Sequence, residues 1–138
     1  MTSEELKLRT KKFSLRVINL IESLPNSISG KVIANQLIRS ATSVGANYRS
    51  ACRSRSKAEF VSKIRIVEEE ADESLYWLEI IKESKLVREV RIADLIKEAM
   101  ELTSIFTSIG KTSKINLKNS NSEIPNSKLE KNPKSEKC

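Results

Sequence analysis

The sequence predicts an all-α fold, an antiparallel up-down-up-down four-helix bundle followed by a disordered basic C-terminal tail. Three observations point there. Four segments repeat apolar residues at alternating spacings of three and four, which gathers them on one helix face at about 100° per residue. The connections between those segments are only two to six residues long, as antiparallel neighbours require. The 138-residue chain holds three Gly and three Pro beside abundant Glu, Lys, Leu, Ile, Ser and Ala, which favours helix over sheet. A chain of this length suits one domain, read as residues 1–111, with residues 112–138 set apart as tail.

The first helix, about residues 4–24, opens on Thr2-Ser3-Glu4-Glu5, a capping box that puts carboxylates beside unpaired amides. It offers Leu6, Phe13, Val17, Leu20, Ile21 and Leu24 to a core, and Pro25 stops it. Asn26 to Gly30 reads as the turn. The second helix, about 31–53, sorts its residues into three stripes. Ile33, Leu37, Ala41, Val44, Tyr48 and Cys52 are apolar; Gln36, Ser40, Ser43 and Asn47 form a flanking ladder of small hydrogen-bonding groups; Lys31, Arg39, Arg49 and Arg53 share the far side. Arg55 falls in the apolar sector, so the helix ends before it.

Ser56-Lys57-Ala58-Glu59 reads as the better of two capping boxes and opens the third helix, about 57–84. Phe60, Ile64, Val67, Ala71, Leu75 and Leu78 repeat at the four-three spacing of near-antiparallel packing. Ser84-Lys85 closes it. The fourth helix, about 88–111, presents Ile92, Leu95, Ala99, Leu102, Phe106 and Ile109. From Thr112 onward Lys, Asn, Ser and Glu take over, with Pro125 and Pro133 and no apolar period. Such a segment buries too little to offset its ordering entropy and is expected to be disordered.

Much chemistry is excluded. The chain has no histidine, which removes the commonest general base and neutral metal ligand and the Glu-x-x-His ligands of di-iron bundles. No Gly-rich phosphate loop or nucleophile elbow occurs. Cys52 has no base beside it and reads as a small core residue. Glu68, Glu69, Glu70, Asp72 and Glu73 fan over more than about 150° of helix, which suits a solvated, ion-paired face better than a converging site. No catalytic residue, metal, cofactor or small-molecule substrate is predicted. The apolar runs are too short to span a membrane and the start lacks a secretory pattern. Cys52 and Cys138 imply no disulfide framework, so the expected compartment is the reducing cytoplasm.

Charge is segregated. The net charge is +7. Residues 31–65 hold eight basic residues against Glu59 alone, residues 68–101 hold five basic against eleven acidic, and residues 111–138 hold seven Lys against three Glu. Opposite faces of this kind pair within a bundle, between subunits, or with a polyanion. The third helix also carries a second stripe, Ile66, Glu70, Glu73, Trp77 and Ile80, beside its core stripe. Leu8 and Leu15 are a similar surplus on the first helix. The stripe fits a subunit interface, with arginines of the second helix as partners for Glu70 and Glu73, or a wide core face with Trp77 capping one end. The Gln36-Ser40-Ser43-Asn47 ladder fits close helix packing, or donation to phosphates together with Arg39 and Arg49.

Several blocks in one order resemble a known family. Gln36-Leu37 through Ser40 and Ser43, Ala46-Asn47-Tyr48, Ser56-Lys57-Ala58-Glu59-Phe60 and Glu70-Ala71-Asp72-Glu73-Ser74-Leu75-Tyr76-Trp77-Leu78 resemble the four-helix-bundle proteins encoded in intervening sequences of bacterial large-subunit ribosomal RNA genes. The likeness runs from about Phe13 to Leu102. Many relatives carry Glu-Gly or Glu-Ala where this chain has Arg49-Ser50, so this helix is more basic. The resemblance implies an antiparallel bundle, often a ring-shaped homopentamer with a basic surface. A relative of the same fold looks like the accessory subunit of diversity-generating retroelements, which works with a reverse transcriptase and RNA.

The expectation is therefore a non-catalytic homo-oligomer associated with RNA or DNA through Lys31, Arg39, Arg49, Arg53, Arg55 and Lys57. Its subunit contacts would fall on Gln36, Ser40, Ser43, Asn47, Ile66, Glu70, Glu73 and Trp77. A protein–protein adaptor without nucleic-acid binding is the alternative, and a product of a selfish element with no conserved molecular task is a third.

Overall fold

The computed structural model describes residues 1–122. Four α-helices follow in order: α1 (Ser3–Ile21), α2 (Ile28–Ala51), α3 (Lys57–Glu83) and α4 (Glu89–Ser122). Each packs on its neighbour in sequence, and α4 closes back on α1, so the four surround one core. The α3 contacts with α2 and α4 are the most extensive, and the α1–α4 seam is the thinnest. Among the described residues there is no strand, and no helix is long and apolar enough to cross a membrane.

The caps explain where each helix begins. Thr2 Oγ1 accepts from the Glu5 amide at 3.1 Å while Glu5 Oε1 accepts from the Thr2 amide at 2.8 Å, a complete capping box. That amide bond is the main reason the Glu5 carboxyl lies below its ordinary range. At α3 the Ser56 hydroxyl accepts from the Glu59 amide at 3.0 Å, but Glu59 reaches past the cap to the Arg55 amide at 2.8 Å. The first box, not the second, is the reciprocal one. Ser27 caps α2 by accepting from the Gly30 amide at 3.1 Å, so α2 starts at Ile28, about a turn earlier than the expected turn over Asn26 to Gly30 allows. Gly30 is needed there, because a Cβ would run into the Pro25 carbonyl oxygen.

The core is the apolar face that the periodicity marks: Phe13 and Val17 from α1, Leu37 and Val44 from α2, Ile64, Val67, Leu78 and Ile81 from α3, and Ile92, Leu102 and Phe106 from α4. Burying each such side chain contributes about 1.5–3 kcal/mol. One core position departs from expectation. Ser74 is fully buried, whereas Leu75 is only partly so. Its hydroxyl donates to Ser40 Oγ at 3.0 Å, and Ser40 in turn donates to the Leu37 carbonyl at 3.2 Å. The exchange of a leucine for a serine lets α2 and α3 approach closely with both hydroxyls satisfied.

The tail boundary needs correction. Helix α4 continues through residues 112–122, beyond Lys111, so the bundle is not confined to residues 1–111. Neither Gly nor Pro interrupts Lys111 to Ile124. Ser113 Oγ donates to the Ile109 carbonyl at 2.7 Å, and Lys57 Nζ donates to Ser120 Oγ at 2.8 Å, which anchors the added turns to α3. The rest of the predicted tail, residues 123–138, lies outside the described residues. Cys52 closes α2, half-buried against the core, and is not a free thiol; Cys138 lies outside the described residues.

Candidate functional site

The end of α2 and the start of α3 meet across a three-residue turn capped by Ser56, and this joint gathers positive charge. Ala46, Arg49, Ser50 and Arg53 come from α2 and its exit, Arg55 from the turn, and Glu59 and Lys63 from the first turns of α3. Together they line one open cleft of about 400 Å³. Arg49 and Arg53 are four residues apart, one turn of helix, and both are exposed. Lys63 Nζ donates to Ser50 Oγ at 2.7 Å and pairs with Glu59 at 3.2 Å. Glu59 is held below the ordinary carboxylate range, first by the Arg55 amide and then by Lys63. The one acid of the cleft is thus already engaged, and Arg49, Arg53 and Arg55 form no ion pair among the described residues. An arrangement of this kind is able to hold an anion as a diffuse charge.

The six cations expected from the sequence do not form one surface. Arg49, Arg53 and Arg55 share the cleft, joined by Lys63, which sequence reasoning passed over. Lys31 stands about 27 Å from Arg49 along α2, from eighteen residues at 1.5 Å each. Arg39 Nη2 donates to Gln36 Oε1 at 2.8 Å and lies 3.9 Å from Glu73 of α3, so its charge is partly matched within the protomer. Lys57 turns away from the cleft toward Ser120. Glu73 for Arg39 and Ser120 for Lys57 come from other helices, which the pattern alone does not give.

The residues expected at a subunit contact split as well. Ser40 is fully buried between α2 and α3, which leaves it no surface for a second copy and corrects that assignment. Ser43 and Asn47 are spent partly on their own helix, Ser43 Oγ on the Arg39 carbonyl and Asn47 Nδ2 on the Ser43 carbonyl. Gln36, Glu70, Glu73 and Trp77 are half-buried on the outer flank of the α2–α3 seam, and Ile66 is 40% exposed. Trp77 packs against the core, donates from Nε1 to Glu73 Oε2 at 3.1 Å and meets Tyr76 edge-on at 5.0 Å. Glu70 Oε1 is buried with no hydrogen-bond partner, and its carboxyl is pushed above the ordinary range by burial and then by Glu73. Arg39 lies within ion-pair distance of Glu73 and only tempers the rise at Glu70 from farther away. Leu8 and Leu15 stand outward on α1, exposed as the pattern implied. Among the described residues no group of three or more His, Cys, Asp or Glu is placed to hold a metal ion.

The bundle has known likenesses. No curated protein matches the chain. A crystal structure of a protein of unknown function from the S23 ribosomal protein family of Bacteroides thetaiotaomicron is 32% identical, with a TM-score of 0.73 over 80% of this chain and 99% of that one. A family model described as 23S rRNA-intervening sequence protein matches residues 5–108, which take in α2, α3, the basic joint, nearly all of α1 and the first part of α4. By that match the chain belongs to the 23S rRNA-intervening sequence protein family.

Proposed function

We propose that the chain is a non-catalytic, homo-oligomeric cytoplasmic bundle protein that associates with RNA through the basic cleft at the α2–α3 joint. The observation that carries this is charge without counter-charge: Arg49, Arg53 and Arg55 border one depression whose single acid is held by Lys63 and a backbone amide. Neutralised phosphates release counterions, and that release drives association without reading sequence. Copies of the cleft repeated around an oligomer turn three arginines into a continuous anion-binding track. The exposed Leu8 and Leu15 of α1 and the Ile66 and Tyr76 of α3 supply apolar surface for that assembly, as a ring of five in keeping with the family resemblance.

The test is titration of single-stranded RNA at several salt concentrations, with the mass of the protein followed by light scattering. Three phosphate contacts give a slope near about −2 in log affinity against log salt, at roughly −0.7 each. The Arg49→Ala/Arg53→Ala/Arg55→Ala variant is expected to flatten that slope. RNA association indifferent to salt, or unchanged in the triple variant, overturns the reading. One observation favours the adaptor alternative. The α2–α3 flank is already balanced by Arg39 against Glu73, as a protein-binding face is. In that case a partner protein survives the triple variant and is lost when the flank is altered.

A further inference from the structure

We infer that the hollow at the opposite side of the same bundle end, between the start of α1 and the last turns of α4, is a pocket for a single nucleobase. Its volume is about 270 Å³, below the usual range for drug-sized ligands and suited to one ring system. Leu6, Tyr48 and Phe60 line it from the core side, and all three are buried. Tyr48 is only 2% exposed, yet its hydroxyl has no hydrogen-bond partner among the described residues. The hydroxyl oxygen itself still reaches solvent through the hollow, and so it offers a donor to whatever enters. Burial pushes the phenol up to about 12, so it stays a neutral donor at any physiological pH.

The rim complements that floor. Ser108, Thr112 and Asn116 follow one another at four-residue intervals on α4, and none has a side-chain partner among the described residues. No Lys, Arg, Asp or Glu side chain lines the hollow. Met1, which carries the amino terminus, is the one lining residue with a charge, and the rest of the lining suits a group that is apolar on its faces and able to hydrogen-bond at its edge, which describes a base. The charge that accompanies a nucleotide finds its partner just outside. Lys57 lies one turn before Phe60 on α3, and its Nζ sits on Ser120, one turn beyond Asn116 on α4. The cation is therefore at the mouth of the pocket and not within it. Arg49, next to Tyr48 in sequence, lines the basic cleft. The pocket stands on its own geometry; only the source of the base, an unpaired nucleotide of RNA, rests on the function proposed above.

The experiment titrates the full chain with each of the four uncharged nucleosides, and then with the 5′-monophosphates, by backbone amide NMR. Nucleosides are expected to shift the amides around Phe60 and Ser108 to Asn116. Tyr48→Phe, which fills the same space without the hydroxyl, weakens them about threefold to tenfold. Lys57→Ala removes the advantage of the monophosphates and leaves nucleoside binding intact. An RNA hairpin with one unpaired base then binds more tightly than its fully paired counterpart, and Tyr48→Phe erases the difference without changing the salt slope. Silence of the pocket amides to all four nucleosides, or identical binding by Tyr48→Phe, overturns the pocket even where RNA association is salt-dependent. Nucleoside binding without any RNA association leaves the pocket standing and removes only the RNA reading.

Discussion

Arg9 of α1 holds Glu98 of α4 in a fork, Nε to Oε2 at 2.7 Å and Nη2 to Oε1 at 2.9 Å, and reaches Glu101 at 2.7 Å as well. This is the seam where the bundle has least packing, so the fork supplies what apolar contact does not. Hydrogen bonding to Glu98 raises the guanidinium above its already high ordinary value, and the charge is permanent. With Arg9 26% and Glu98 15% exposed, the pair is better shielded than a surface salt bridge. Arg9→Ala is expected to cost about 1–3 kcal/mol. Arg9→Lys recovers only part of this, because an ammonium cannot span both oxygens. Urea unfolding of the single and double variants with Glu98→Gln measures the coupling; additivity of the two would show that the fork contributes nothing.

Ser40 and Ser74 make a second cross-helix contact with the opposite logic, since both are buried and uncharged. Ser74→Ala leaves Ser40 still bonded to the Leu37 carbonyl, and Ser40→Ala leaves Ser74 bonded to the Glu70 carbonyl at 2.9 Å. Each single change is expected to cost about 0.5–1 kcal/mol, and the double change less than their sum. Ser74→Leu, which puts a leucine at the buried position, overpacks the seam by about 1–3 kcal/mol. Thermal unfolding of the parent and the four variants decides the order.

These contacts show where the sequence was informative and where it was not. Positions such as Phe13, Leu37, Ile64 and Phe106 follow from periodicity, because a stripe of that width has one way to leave water. The joint between α2 and α3 was legible too, since Arg55 in an apolar sector and the Ser56 cap announce a helix end. Partners were not. That Arg39 meets Glu73, that Lys57 reaches Ser120 and that Lys63 joins Arg49 depend on which helix stands beside which and at what height. The run from Thr112 read as tail because its composition is polar, whereas the helix needs only an anchor and the absence of breakers. The Tyr48 hollow was hidden for the same reason, because its rim lies on that run.

Glu70 ties stability to pH. Burial raises its carboxyl first and Glu73 second, Arg39 opposes them, and Glu69 adds to the rise. In the folded state the group keeps its proton to a higher pH than in the unfolded chain. Between the two values the folded state binds the extra proton, so this residue's contribution to stability falls as pH rises through that interval and is level on either side. Glu70→Gln is therefore expected to stabilise the protein at about pH 7, with the gain disappearing toward about pH 4. Urea unfolding of both proteins at the two pH values tests the sign; a gain that grows in acid would contradict it.

Lys85 is the one non-glycine residue with positive φ among the described residues, at 59°. It ends α3 in a left-handed turn where the Leu86 amide donates to the Ile81 carbonyl at 3.2 Å and the Lys85 amide to the Lys82 carbonyl at 3.1 Å. That pair of bonds is the pattern which glycine most often completes. An L side chain in this conformation costs about 1–2 kcal/mol, part of which glycine returns through the extra freedom of its unfolded chain. Lys85 is exposed, and the Lys82–Glu89 pair at 3.6 Å across the same turn does not involve it. Lys85→Gly is expected to raise stability by about 0.5–1 kcal/mol, Lys85→Asn by less, and Lys85→Val to lower it, because a β-branched residue tolerates the left-handed region worst. Calorimetric melting should rank the four as Gly, Asn, Lys, Val from most to least stable. A valine variant as stable as the glycine one would mean that the turn relaxes freely and that its handedness contributes nothing to holding α3 against α4.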